Sequence, residues 1–192
     1  MNVGLFFGSF NPIHVGHLII ANHIVEYSGL DQIWFVVTPH SPFKKKSSLL
    51  DNYQRLELVY RATKDYTKLK PCDIEFNLPQ PNYTINTLAY LQEKYPDHAF
   101  ALVMGEDNLK SFHKWKNYEQ ILEQHHVYVY PRISQDPIET PFHQHDKVHF
   151  IDAPIIEISS TAIRKAIKVG NNVKPMLPEL VWEYLDEMNF YK

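Results

Sequence analysis

Gly8-Ser9-Phe10-Asn11-Pro12-Ile13-His14-Val15-Gly16-His17 joins an apolar run, Val3 to Phe7, to a helical pattern that opens at Leu18-Ile19-Ile20-Ala21. The run before it is apolar throughout and stops at a glycine, as a strand buried on both faces does. The pattern after it, from about Val15 to Tyr27, carries Leu18, Ala21, Ile24 and Val25 on one stripe and ends at Ser28-Gly29. Ile33-Trp34-Phe35-Val36-Val37 is a second all-apolar strand. Strand, helix and strand in this order form a βαβ unit, and two buried strands joined by a helix predict a parallel sheet covered on both sides. The connecting stretch also has chemical content. His14 and His17 are three residues apart and share one face of the helix start. Unpaired N–H groups and the positive end of the helix dipole gather at the same place, so phosphate is its natural guest.

The rest of the chain repeats this alternation. Helical spacing is read from about Asn52 to Lys64, with Leu56, Val59, Tyr60 and Thr63 on one side. Ile74 and Phe76 are assigned to a short strand, and Thr84 to the cap of a helix whose apolar side is Ile85, Leu88, Ala89 and Leu91. Phe100 to Met104, Val127 to Tyr130 and Val148 to Ile151 are further strands, with short helices through Leu109 and Phe112 and from Tyr118 to Gln124. Ser159 or Ser160 caps a helix running to about Val169. Pro178 starts a terminal helix carrying Val181, Leu185 and Met188. No repeat, low-complexity tract or linker interrupts the 192 residues, so residues 1–192 are expected to form a single domain. The expected fold is α/β: a Rossmann-like, doubly wound sheet of about five mainly parallel strands flanked by helices.

Bulk properties narrow the function classes. Nineteen basic against 22 acidic residues leave a formal charge of −3, which gives no reason to expect a nucleic-acid partner. The aromatic content suits core and crevice lining better than a base-stacking platform. Cys72 is the only cysteine, so neither an intrachain disulfide nor a cysteine-based zinc site is available. His125, His126, His143, His145 and His149 match no zinc spacing, and no protein-held metal is expected. No apolar run approaches the ~20 residues that span a bilayer. The start lacks the features of a signal peptide, so a cytoplasmic location without membrane contact is expected.

In an open parallel sheet, ligands bind beyond the carboxyl ends of the strands, where the strand order reverses. Gly8 to His17, Lys44, Gly105 with Asp107, and Ser160-Thr161 with Arg164 all follow strands, so topology brings them toward one crevice. Neither G-x-x-x-x-G-K-[ST] nor G-x-G-x-x-G occurs, which removes P-loop nucleotidases and dinucleotide dehydrogenases from consideration.

The opening stretch resembles the G-[ST]-F-[DN]-P-x-H-x-G-H signature of the nucleotidyltransferases that carry an HxGH motif. Ile158-Ser159-Ser160-Thr161-Ala162-Ile163-Arg164 resembles their second signature, I-S-S-T-x-[IV]-R. Between them, Ser41-Pro42-Phe43-Lys44, Pro81-Asn82-Tyr83-Thr84-Ile85-Asn86-Thr87-Leu88 and Met104-Gly105-Glu106-Asp107-Asn108-Leu109 with Trp115 are similar to nicotinate-nucleotide adenylyltransferases. The resemblance covers essentially the whole chain. It implies transfer of adenylate from ATP to nicotinate mononucleotide, giving deamido-NAD and diphosphate. Asn11 stands where many members have aspartate.

The resemblance also assigns roles. His14, His17 and Arg164 become the catalytic set. Gly8, Ser9, Phe10, Gly16, Gly105, Asp107, Ile158, Ser160 and Thr161 join them in holding ATP. Lys44, Tyr83, Thr84, Trp115 and Lys116 fall to the acceptor, with Trp115 stacked on the pyridine ring. Mg²⁺ enters with ATP, held by phosphates and water. Other readings stay open at this level. Nicotinamide mononucleotide or phosphopantetheine would serve as acceptors chemically, and a nucleotide-binding regulator would keep the same crevice. Asp107 also suits a helix cap, Trp115 a packing anchor, and Lys44-Lys45-Lys46 a solvated loop.

Overall fold

The computed structural model describes residues 1–39, 49–132 and 140–192. Lys44 lies outside them. Strands β1 (Asn2–Gly8), β2 (Gln32–Val37), β3 (Leu69–Cys72), β4 (Ala99–Gly105), β5 (Val127–Tyr130) and β6 (Val148–Phe150) form one sheet in the order β3-β2-β1-β4-β5-β6. Every pairing is parallel. Helices α1 (Val15–Tyr27), α2 (Asn52–Thr63), α3 (Thr84–Lys94), α4 (Glu106–Lys110), α5 (Tyr118–Gln124), α6 (Ser160–Lys168) and α7 (Glu179–Glu187) cover it.

The pleat sends alternate residues to opposite faces, and each face has its own core. Phe6, Ile33, Phe35 and Val103 pack with Ala21 and Ile24 of α1, Leu58 and Val59 of α2, Ile163 of α6, and Val181 and Leu185 of α7. Leu5, Val36, Leu102 and Met104 pack with Leu88 and Leu91 of α3, Leu109 of α4 and Ile121 of α5. The sheet is therefore doubly wound. The chain builds outward from β1 through β2 to β3, then crosses back to place β4 on the other side of β1. That reversal puts the switch point between β1 and β4, at the carboxyl ends where Gly8 and Gly105 stand.

Several local expectations are corrected. The sheet has six strands among the described residues, because Leu69-Lys70-Pro71-Cys72 pairs with β2 as an edge strand. Proline is tolerated at an edge, but its presence hides the strand from pattern reading. Ile74 and Phe76 belong instead to a 3₁₀ turn, Ile74–Asn77. The buried face of α2 is rotated: Arg55, Leu58, Val59, Ala62 and Thr63 are inside, while Tyr60 is half exposed. Counting apolar residues missed it because a buried arginine occupies the first position of that face. Tyr83, not Thr84, is the capping residue of α3, and Ser159 caps α6 by accepting the Ala162 N–H at 3.1 Å. Pro178 precedes the first turn of α7, and Met188 is exposed beyond its end.

Candidate active site

The loop from Gly8 to His17 is set by close approaches. The Phe10 ring folds back so tightly that a Cβ on Gly8 would sit 2.8 Å from its Cζ. Phe10 has φ of +45°, a strained value for a residue with a side chain, and is buried against Phe6, Phe35 and His17. A Cβ on Gly16 would lie 2.9 Å from Ile156 and 3.0 Å from Nδ1 of His14. Glycine there lets the 151–159 segment close over the start of α1 while leaving that nitrogen room.

His14 caps α1 and His17 sits in its first turn, with the two rings stacked at 3.7 Å between centroids. The backbone N–H of His14 donates to Nδ1 of His17 at 3.2 Å. Nδ1 of a neutral His17 is thus an acceptor, and its proton resides on Nε2. Nδ1 of His14 is buried with no hydrogen-bond partner among the described residues. Burial, with Arg132 adding to it, pulls the His14 pKa down to about 4. Burial, then His14, then Arg132 pull His17 well below the ordinary histidine value. Both rings are neutral at physiological pH. They act as hydrogen-bonding groups, and the cations required by a polyphosphate must come from elsewhere.

Those cations arrive on α6 and on the segment after β5. Arg164 Nη1 donates to the Asn11 carbonyl at 2.7 Å and Nη2 to Thr161 Oγ1 at 3.2 Å. Its remaining N–H groups are left for a ligand. The Ser160 hydroxyl donates to the Pro12 carbonyl at 2.8 Å. The two signature stretches are therefore bolted together, and the start of α6, where Ser159 takes the Ala162 and Ile163 N–H groups, sits against the loop that carries the histidines. Thr161, Arg164, Lys165 and Lys168 line a cleft of about 470 Å³ on that side. Ile158 packs against the core beneath it.

A second cavity, about 170 Å³, lies at the switch point. Phe7 and Gly8 from β1, Thr38, Val103 and Met104 from β4, and Trp115 line it. The half-buried Trp115 ring meets Phe112 edge-on at 5.3 Å. Beyond it, Lys116 Nζ lies 4.4 Å above the Tyr83 ring, joining the start of α3 to the segment after α4. Asp107 is exposed, with Oδ1 3.9 Å from Arg132 Nε. Gly105 ends β4 opposite Tyr130. No group of three or more His, Cys, Asp or Glu side chains among the described residues is placed to hold a metal.

Residues 5–166 match the cytidylyltransferase-like family. A probable nicotinate-nucleotide adenylyltransferase of Flavobacterium johnsoniae is 66% identical over 192 residues, covering all of both chains. One from Cytophaga hutchinsonii is 46% identical over 100% of this chain and 98% of its own. The chain belongs to the nicotinate-nucleotide adenylyltransferases. Among solved structures, Plasmodium falciparum nicotinic acid mononucleotide adenylyltransferase complexed with NaAD superposes with a TM-score of 0.79 at 20% identity, over 99% of this chain and 97% of that one. That likeness shows the nucleotidyltransferase fold.

Three residues of this adenylyltransferase site escaped sequence reading. Arg55 is fully buried in α2 and donates to Ser9 O at 2.7 Å, Thr38 O at 2.8 Å, Leu50 O at 3.1 Å and Asn52 Oδ1 at 2.7 Å. It ties the loops after β1 and β2 to each other. Arg132 follows β5 and acts electrostatically on both histidines. The rule that drew attention to the other strand ends would have found it. Tyr191, near the chain's end, donates its hydroxyl to Asn11 Oδ1. Nothing in its sequence neighbourhood signals that contact.

Proposed function

We propose that the crevice between β1 and β4 performs adenylyl transfer with the following division of labour. The chain moves the adenylyl group of ATP onto nicotinate mononucleotide, releasing deamido-NAD and diphosphate. An oxygen of the acceptor's 5′-phosphate bonds to the α-phosphorus. The bond from that phosphorus to the bridging oxygen breaks in line, and the electron pair leaves with diphosphate. The attacking phosphate is already anionic near neutral pH, so the site needs no general base. Its task is to align two anions and to stabilise the charge that builds on the α-phosphate oxygens.

His17 Nε2–H and the His14 ring donate to those oxygens as neutral groups, together with the first-turn N–H groups of α1 and α6. Arg164, Thr161 and Ser160 hold the β- and γ-phosphates, with Arg132 and Lys165 adding positive potential. Gly8, Ser9, Phe10 and Gly16 shape the floor under ATP, and Ile158 supports α6 beneath it. Gly105 and Asp107 approach its ribose or adenine. Mg²⁺ belongs to the substrate MgATP, coordinated by phosphates and water, as a cation that dehydrates reluctantly prefers. On the acceptor side, Trp115 stacks on the pyridine ring, and the Tyr83–Thr84 and Trp115–Lys116 segments meet its carboxylate. Lys44 falls on this side by family position. Residues 1–192 act as one domain. No described helix is long and apolar enough to cross a membrane.

The observation that carries these roles is the pair of bonds from Arg164 to Asn11 O and from Ser160 to Pro12 O, which makes one cradle of the two signatures. The test is diphosphate release from MgATP with nicotinate mononucleotide, nicotinamide mononucleotide or phosphopantetheine as acceptor. The first is expected to be used best. Preference for the amide, or for phosphopantetheine, would overturn the acceptor assignment. ATP binding without release under any condition would favour a regulator.

A further inference from the structure

The β1–α1 loop is anchored by five contacts from outside it. Arg55 holds Ser9 O, Arg164 holds Asn11 O, Ser160 holds Pro12 O, and the Leu50 N–H reaches Asn11 Oδ1 at 3.2 Å. The last anchor comes from the far end of the chain, because Asn11 Oδ1 also accepts the Tyr191 hydroxyl. Getting the hydroxyl there requires an unusual tail. After α7 the chain reverses at Asn189, φ +52°, with the Phe190 N–H closing on Leu185 O at 3.0 Å. Tyr191 itself has φ +66°, a left-handed conformation that an aromatic residue rarely adopts. Strain of this kind persists only where surrounding contacts over-determine it, and it clusters at working sites. Here it is matched by a second strained residue, Phe10, directly before Asn11. Burial raises the Tyr191 pKa well above the ordinary tyrosine value, while the Arg164 and Arg55 guanidiniums pull the other way, so the hydroxyl stays protonated as a donor to Asn11.

We propose that Tyr191 is a positioning residue for the ATP half of the site: its hydroxyl holds the Asn11 side chain, so that the Asn11 carbonyl presents Arg164 at the correct place for the polyphosphate. The proposal rests on the adenylyl-transfer reading above. Asn11 is 3% exposed, and when the Tyr191 donor is lost its Oδ1 keeps the Leu50 N–H, so the side chain stays satisfied while its hold is loosened. The loop then has one anchor fewer on the side that meets Arg164. The acceptor cavity, walled by Phe7, Val103, Met104 and Trp115, contains none of these contacts.

Tyr191→Phe deletes only the hydroxyl. MgATP affinity by titration calorimetry is expected to weaken about tenfold, and kcat/KM for ATP to fall by a similar factor. KM for nicotinate mononucleotide and the melting temperature should stay near their original values, a split that general loosening of the fold would not produce. In the double variant with Asn11→Ala, the two losses should overlap, because both remove the same contact. Unchanged ATP affinity in Tyr191→Phe, equal weakening for both substrates, or fully additive losses would overturn the proposal. Calorimetry needs no turnover, so failure of the adenylyl-transfer reading is seen separately, as absence of diphosphate release from the unaltered chain with every acceptor.

Discussion

The two sides of the crevice are built on opposite principles. On the side proposed for ATP, loop carbonyls are met by directional donors, the fully buried Arg55 and the half-buried Arg164 and Ser160, at 2.7–2.8 Å from Ser9, Thr38, Asn11 and Pro12. On the side proposed for the acceptor, the contacts are broad and adaptable. Lys116 lies over the half-exposed Tyr83 ring, and Trp115 leans on Phe112. One buried polar pair underlies this second side. Glu75 accepts the Thr87 hydroxyl at 2.8 Å, and the Glu75 carbonyl accepts Asn82 Nδ2 at 2.9 Å, which steadies the approach to α3. The contrast follows the chemistry. A reacting α-phosphate needs donors fixed before it arrives, because reorganisation during the reaction would cost rate. A flat aromatic ring needs mainly surface, which side-chain stacking supplies without fixed directions.

The largest effect expected from breaking this contrast is at Arg55. Arg55→Leu strips donors from the Ser9, Thr38 and Leu50 carbonyls inside the protein and should cost roughly 3–5 kcal/mol in unfolding free energy. Urea denaturation measures it, and a cost below about 1 kcal/mol would mean the loops hold themselves. Next is His17→Ala, which should lower kcat by about 10²–10³-fold, the usual loss for one preorganised donor. The variant's circular dichroism spectrum should remain that of the unaltered chain. Because both histidines are held neutral, any step in kcat near pH 6.5 should come from the second ionisation of the acceptor's phosphate and persist in His17→Ala. A step that the variant lacks would mean that a protonated imidazole takes part.

Glu75 sharpens the comparison from the other side. Burial pushes its pKa up from 4.5 to about 7, against the opposing Thr87 hydrogen bond. A folded-state pKa raised above the unfolded one means that the native chain binds the proton more tightly. Its contribution is complete below pH 4.5 and is lost as pH rises through 7. Relative to Glu75→Gln, the unaltered chain should lose about 3 kcal/mol of stability across that window. Measuring the difference between the two chains isolates Glu75 from the histidines, whose lowered pKa values act oppositely: their stability is present above pH 6.5 and lost as pH falls. A difference that stays flat with pH would show that Glu75 is ionised and solvated. The smallest effect is expected at Lys116. Lys116→Met keeps the stem over Tyr83 and removes the charge, and should raise the acceptor's KM about two- to fivefold. A much larger rise would show that the ammonium meets the carboxylate directly.

Much of the architecture was legible from local patterns. Continuous apolar runs marked β1, β2 and β4, because strands buried on both faces carry no alternation to disguise them. The short apolar run of β5 was equally clear. Helical spacing placed α1 and α3 because their stripes are apolar, although in α3 Thr87 takes the buried place expected of Ala89. What escaped was of another kind. β3 was hidden by Pro71 at a sheet edge, and the inward face of α2 by a charged residue that pattern reading assigns to solvent. Arg55 is buried only because four acceptors from three segments surround it, and no local pattern encodes their meeting.

By itself, then, the sequence determined the class of chemistry and most of the secondary structure. Turn residues, apolar periodicity and the His14-Val15-Gly16-His17 and Ser159-Ser160-Thr161 stretches act over a few residues, and their meaning is local. Only the tertiary structure decided how those pieces share one site. It set the tautomer of His17 through the His14 N–H, the neutrality of both rings through burial, and the place of Arg164 through a carbonyl 153 residues away. It also brought Tyr191 back onto Asn11, across 180 residues. Hydrogen bonds, desolvation and charge act through space, and distance along the chain says nothing of distance across it.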